Sequence, residues 1–349
     1  MPRPSVLIAV AVALSAVVAG TATIAPAAAA NPVQPMRRLV APAPGGVYFG
    51  AHSLGLETRS GEVLAWGKSR GRTVRIAHWY QHWLTGQTRF RPDWAARVAR
   101  QGAVPMITWE PWKSYAGKKR RANQPAVRLA RIAGGHYDRY IRSWARGVAA
   151  YRGPVMIRFM HEMNGTWYPW GLRVNGNSPA LYRAAYRHVR RIFDRQGARN
   201  VSWIWSINNL TAGTDTTDLV AAYPGDAYVD WVATSGFNWG EAFSWSDWRD
   251  ADVLFRPSFD FLGRFAKPIM ISEIGTTGIG GDRRAWIPAT ISRLRAGYPN
   301  LKALVWYSAI DGSRLDFRLR GATRRSLARA STLNTWVRTP RFAPASGRR

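Results

Sequence analysis

Three carboxylates differ from the other acids of this chain by what surrounds them. Glu162 lies in "RFMHEMNGTWYPWG" (158–171), Glu273 in "IMISEIGTT" (269–277) and Glu110 in "ITWEPW" (107–112). Each closes or follows an apolar run, where an acid is costly to desolvate unless it is paired or used. Two such acids facing each other can split a glycosidic bond. One protonates the leaving oxygen, and the other attacks or stabilises the anomeric carbon. A separation of about 5–5.5 Å gives the retaining, double-displacement route. The competing reading is a structural ion pair, because Arg158 shares strand parity with Glu162.

Other chemistries find less support. The chain has no cysteine, which excludes thiol nucleophiles and Cys-ligated zinc. "HEMNG" begins like H-E-x-x-H, but Gly165 stands where the second ligand belongs. His78 and His82 are the histidines spaced four apart, and "AHWYQHW" places them past a strand, where they line a cleft or satisfy backbone groups. There is no G-x-S-x-G elbow. The glycines of "GTTGIGGD" (275–282) lack the spacing of a nucleotide loop.

To face each other, the acids need a scaffold. Nearly continuous apolar runs at 47–52, 73–80, 103–109, 154–162, 201–207, 229–237, 268–274 and 302–309 read as eight buried parallel strands. Helical periodicity lies between most of them. In 136–151, Tyr140, Ile141, Trp144, Ala145 and Val148 share one face. In 178–197, Ser178 is the expected N-cap, Pro179 the first-turn residue and Gly197 the stop. Weaker helices are expected at 92–101, 256–266, 282–297 and 321–336. Eight strand–helix alternations predict an α/β fold, a single-domain (β/α)8 TIM barrel. An open doubly wound sheet is the alternative, but no G-x-G-x-x-G follows the first strand. Barrel chemistry gathers at the C-terminal ends of strands, where Glu110, Glu162 and Glu273 fall.

The 18 tryptophans add to this. Those at predicted strand ends, Trp109, Trp112, Trp167, Trp239 and Trp306 among them, suit a cleft that stacks pyranose faces; Trp203 and Trp205, inside strand five, read as core.

Residues 1–30 run from a basic start through an uncharged apolar stretch to small residues near Ala30, as a secretory signal peptide does. A flexible lead (31–46), a catalytic domain (47–337) and a disordered tail (338–349) are expected to follow. With no other stretch long and apolar enough to span a membrane, the mature protein is expected to be exported, extracellular and monomeric. The net charge is +30, from 50 Lys+Arg against 20 Asp+Glu. No nucleic-acid signature accompanies it, so retention on an anionic cell-wall polymer is the expected use.

"RFMHEMNGTWYPWG" resembles the acid/base motif of glycoside hydrolase family 26, which includes many bacterial β-mannanases. "ISEIG" resembles its nucleophile strand, and "YPGDAYVDWVATSGFNWG" (223–240) its strand-six segment. The resemblance runs from about Val47 to Leu319. It implies a retaining clan-A barrel with Glu162 as acid/base and Glu273 as nucleophile, and no cofactor or metal. His161 and Trp167 would lie at the subsite beside the scissile bond, with Phe237 and Trp239 on strand six. Members cleave β-1,4-mannan most often, others mixed-linkage β-glucan or β-1,3-xylan. The expected activity is endo-β-1,4-mannan hydrolysis. A β-1,3-1,4-glucanase, a β-1,3-xylanase or a wall-retained carbohydrate-binding protein of low turnover are the alternatives. The sequence departs from the family at "SGFNWG": members carry Tyr where Phe237 stands, so a donor to the nucleophile is missing.

Overall fold

Apolar runs too short for buried helices, and flanked by amphipathic ones, have one economical solution: a sheet closed upon itself inside a ring of helices. The computed structural model describes residues 38–55, 65, 74–114, 122–311, 315–323 and 325–326. Its strands are β1 Tyr48–His52, β2 Ile76–His82, β3 Val104–Glu110, β4 Val155–Phe159, β5 Val201–Asn208, β6 Trp231–Asn238, β7 Ile269–Thr276 and β8 Leu301–Tyr307. Each pairs in parallel with the next, and β8 returns to β1, so the barrel has no free edge. The predicted (β/α)8 architecture and all eight strands are present.

The helices are α1 Pro92–Arg100, α2 Leu129–Ala133, α3 Asp138–Tyr151, α4 Pro179–Arg195, α5 Thr217–Ala222, α6 Ala251–Leu262 and α7 Arg283–Gly297. Ser178 caps α4 as expected, its hydroxyl accepting the Leu181 N–H at 3.2 Å. α6 begins well before the expected position 256. Asp250 accepts the Val253 N–H at 2.9 Å and starts the helix there, so Pro257 falls inside it and does not open it. The short α2 and α5 have too few turns for a periodic signal, and the sequence reading missed them.

Alternate strand residues face opposite ways. Ile76, Met106, Met156, Ile204, Met270 and Val305 fill the barrel, while Ile107, Ile157, Trp203, Val232, Ile271 and Leu304 meet the helices. Within the expected lead, Leu39 is anchored: it is 4% exposed within the interior cluster, and its carbonyl accepts the Ser202 hydroxyl at 3.0 Å. Arg38 pairs with Asp230 at 2.9 Å. An apolar residue is needed there because the barrel's interior would otherwise be open to water at its N-terminal end. Residues 1–37, the basic run at 117–121 and the expected tail lie outside the described residues. Among the described residues, no helix is long and apolar enough to cross a membrane.

Candidate active site

β4 is regular only to Phe159. Met160 and Glu162 then adopt φ of 48° and 54°. Non-glycine residues hold such left-handed values at a cost of about 1–3 kcal/mol each, and only where the surroundings enforce them. Three hydrogen bonds enforce them here. The Tyr182 hydroxyl donates to the Met160 carbonyl at 2.9 Å, the Trp170 indole to the His161 carbonyl at 2.6 Å, and the Glu162 N–H to the Ser206 carbonyl at 2.7 Å. Beyond the kink Glu162 bonds Trp167 and Ser235, while Arg158 bonds Glu273. The ion pair that parity made conceivable between these two does not form.

Glu162 is 8% exposed and accepts two neutral donors. The Trp167 indole donates to its Oε2 at 3.1 Å, and the Ser235 hydroxyl makes a short bond to its Oε1. Gly165 makes the first of these possible, because a Cβ there would overlap the Trp167 ring.

β7 turns its acid inward by a different device. Met270 lies in the barrel interior, and Ser272 meets Ser206 there at 3.0 Å; Ile271 and Ile274 go to the outer core. Plain alternation would send Glu273 outward with Ile271. The register shifts against β6 at Thr234/Ser235 and against β8 between Ile271 and Ile274, and the extra residue brings Glu273 level with Ser235. Glu273 is 3% exposed, and its Oε2 accepts from the fully buried Arg158 guanidinium at 2.6 Å. Burial pushes the Glu273 carboxyl up, to about 8, and pulls Arg158 down, to about 10. Contact between the two opposes both shifts. We hold the pair to be charged at neutral pH, since a protonated Glu273 would strand a buried cation without its counter-charge.

Oxygens of Glu162 and Glu273 and a ring nitrogen of His161 lie within 4.8 Å of one another. These three are metal-ligand types, but Arg158 already places a positive charge against Glu273, which disfavours a cation there. The carboxylate separation instead suits double displacement.

The remaining expected site residues divide. His161 is 1% exposed; its Nε2 meets the Tyr168 hydroxyl at 3.1 Å, and it packs at the side of the two acids. Trp167 is partly exposed at Glu162, and Phe237 and Trp239 are partly exposed at the end of β6, 5.3 Å apart between ring centroids. Trp112 is buried and donates to Glu110 Oε2 at 3.2 Å; His82 meets the same oxygen at 2.9 Å. It therefore packs on the third acid. Trp109 and Trp306 correct the expectation outright: both are fully buried in the outer core, Trp109 against Trp144 and Phe159, Trp306 donating to the Phe317 carbonyl. Their strand positions point at the helices, which closeness to a strand end does not reveal. Sequence reasoning missed Ser235, although it precedes Phe237 by two and so shares its face of β6. It also missed Arg158 as the partner of Glu273, which no local pattern signals.

Residues 127–276 match the family model of Glycosyl hydrolase family 26. Endoglucanase H of Acetivibrio thermocellus is 33% identical over 302 residues, covering 82% of this chain and 31% of that protein. A mannan endo-1,4-β-mannosidase of Bacillus subtilis strain 168 is 29% identical over 135 residues, 37% of this chain and 32% of that protein. Among solved structures, a family 26 β-mannanase of Bacteroides ovatus superposes with a TM-score of 0.60 at 18% identity, covering 84% of this chain and 90% of that one, a likeness of fold. The chain thus spans about a third of the length of these two curated relatives. Residues 127–276 are a glycosyl hydrolase family 26 segment.

Proposed function

We propose that this chain, with its family 26 segment, is a retaining, endo-acting β-glycoside hydrolase. One observation carries the proposal: two buried carboxylates with oxygens within 4.8 Å, one on neutral donors and one on a cation. The Glu273 carboxylate attacks the anomeric carbon and forms a glycosyl ester, while Glu162 gives its proton to the departing oxygen. Glu162 then takes a proton from water, which attacks the same carbon and frees Glu273. Two inversions leave the anomeric configuration retained. Phe237 offers no hydroxyl to the nucleophile; Arg158 supplies a donor in its place.

For the polymer, the reading begins from β-1,4-mannan, supported by the several mannanases among the relatives. A second reading, β-glucan, has its own support, since the relative matched over 82% of this chain is an endoglucanase. β-1,3-Xylanases match over shorter stretches. Reducing-sugar release from mannan, glucomannan, lichenan and β-1,3-xylan separates these readings, and NMR of the first anomer formed tests the mechanism. An inverted product overturns Glu273 as nucleophile. No release from any polymer overturns hydrolysis and leaves a carbohydrate-binding protein.

Export by the N-terminal segment and retention on an anionic wall polymer remain part of the proposal, supported by residues 1–30 and the +30 charge. Binding to the wall polymer should weaken steeply with salt while hydrolysis of neutral glycan does not; turnover that itself required an acidic glycan would overturn the tether.

A further inference from the structure

The loop after β6, "WGEAFSWSDW" (239–248), exposes a large aromatic ring that the reaction centre does not use. Trp245 is 66% exposed. It is not a loose side chain on a loose loop. Its ring stacks on Phe243 at 4.9 Å between centroids and 7° between planes, and Phe243 meets Trp239 edge-on at 5.8 Å. Trp239 in turn packs on Phe237, two residues beyond the Ser235 that holds Glu162. The aromatic rings therefore form a continuous row from beside the acid pair out to solvent.

The backbone beneath this row is tied down at both ends. The Ser246 hydroxyl donates to the Gly240 carbonyl at 2.7 Å and accepts the Phe243 N–H at 3.1 Å. Asn238 Oδ1 accepts the N–H groups of Gly240 and Arg249 at 3.2 and 3.1 Å, and the Thr277 hydroxyl donates to the Trp239 carbonyl at 3.0 Å. Trp248 fills the space above Gly281, where a Cβ would overlap its ring. A rigid loop that keeps an indole in water forgoes the stabilisation its burial would bring, and such a surface ordinarily has a partner.

We infer that Phe243 and Trp245 form a distal glycan-binding platform that stacks a pyranose ring of the same polysaccharide, outside the subsite where the bond is cut. The occupant follows from position and chemistry. The platform continues the row that starts at the acids, so a chain threaded past them reaches it. The apolar C–H face of a β-linked hexopyranose also matches a flat, exposed indole backed by a second ring. This inference rests on the glycosidase reading above.

Polymer and short substrate separate the two ideas. Trp245→Ala should raise KM for the polymer about threefold to tenfold, the equivalent of a stacking contact of roughly 0.5–1.5 kcal/mol, with kcat little changed. An aryl glycoside too short to reach the platform should be cleaved as by the wild type, and Trp245→Phe should recover part of the polymer KM. Migration through gels containing the soluble polymer gives a reading without turnover: retardation should fall in Trp245→Ala and in Phe243→Ala. Unchanged polymer KM and unchanged retardation would overturn the platform while leaving hydrolysis intact. Equal losses on polymer and aryl glycoside would overturn it too, by showing that the loop only supports the site. A wild-type chain that neither cleaves nor is retarded overturns both ideas.

Discussion

The ends of β4 and β7 each deliver a carboxylate to the barrel mouth, and they do so by opposite means. β4 abandons its extended conformation, and a pair of left-handed residues swings Glu162 into place. β7 stays extended but takes in an extra residue, and the bulge turns Glu273 inward. The surroundings differ in the same way. Glu162 rests on an indole and a hydroxyl, groups that can serve it in either protonation state once the hydroxyl rotates. Glu273 rests on a guanidinium that only a carboxylate satisfies. A residue that must gain and lose a proton within one cycle is best held by the first kind of partner. A nucleophile that must stay ionised is best held by the second.

The greatest loss should come from Glu273→Ala, which removes the attacking atom: no turnover is expected on either polymer or aryl glycoside. Retained activity would place the nucleophile elsewhere. Glu162→Ala should reduce polymer hydrolysis by about 10²- to 10⁴-fold, the usual worth of general acid catalysis, yet cost far less on an aryl glycoside whose leaving group needs no proton. If both substrates suffer equally, the contrast between the two acids collapses.

Arg158→Gln removes the cation bonded to Glu273. Glu273 must be ionised to attack, so activity is lost as pH falls through its pKa. Without the cation only burial remains, and the acidic limb of kcat/KM should move upward. Arg158→Lys should restore part of the original profile. An unmoved limb would mean that Arg158 merely fills space. On the β4 side, Ser235→Ala removes one donor from Glu162 and should lower kcat on polymer by roughly tenfold, the value of a hydrogen bond of about 1.5 kcal/mol. The aryl glycoside should notice it less, and a loss confined to KM would contradict the role.

Phe237→Tyr is expected to have the smallest effect. A phenol there could donate to Glu273 and move the acidic limb downward, but Arg158 already bonds that carboxylate at 2.6 Å. A gain in kcat of less than one power of ten is expected, roughly that of a neutral hydrogen bond of about 1 kcal/mol. A larger gain would show that the ion pair leaves the nucleophile poorly positioned.

The sequence by itself determined the barrel. Continuous apolar runs and period-3.6 apolar patterns are local properties of the chain, and eight alternations admit few other topologies. Glu110, Glu162 and Glu273 stood out alike, because acids among apolar residues at strand ends are costly to bury, and only the family motif set Glu162 and Glu273 apart. What the tertiary structure decided was direction and partnership. Trp109 and Trp306 lie at strand ends like the cleft residues, yet face the helices. Leu39, in a segment that composition marks as loose, plugs the barrel. Arg158 pairs with an acid 115 positions away instead of its neighbour in the motif. In each case the outcome depends on a kink, a bulge or closure of the sheet. Those set which way a side chain points only after distant strands have met, and no local pattern encodes them.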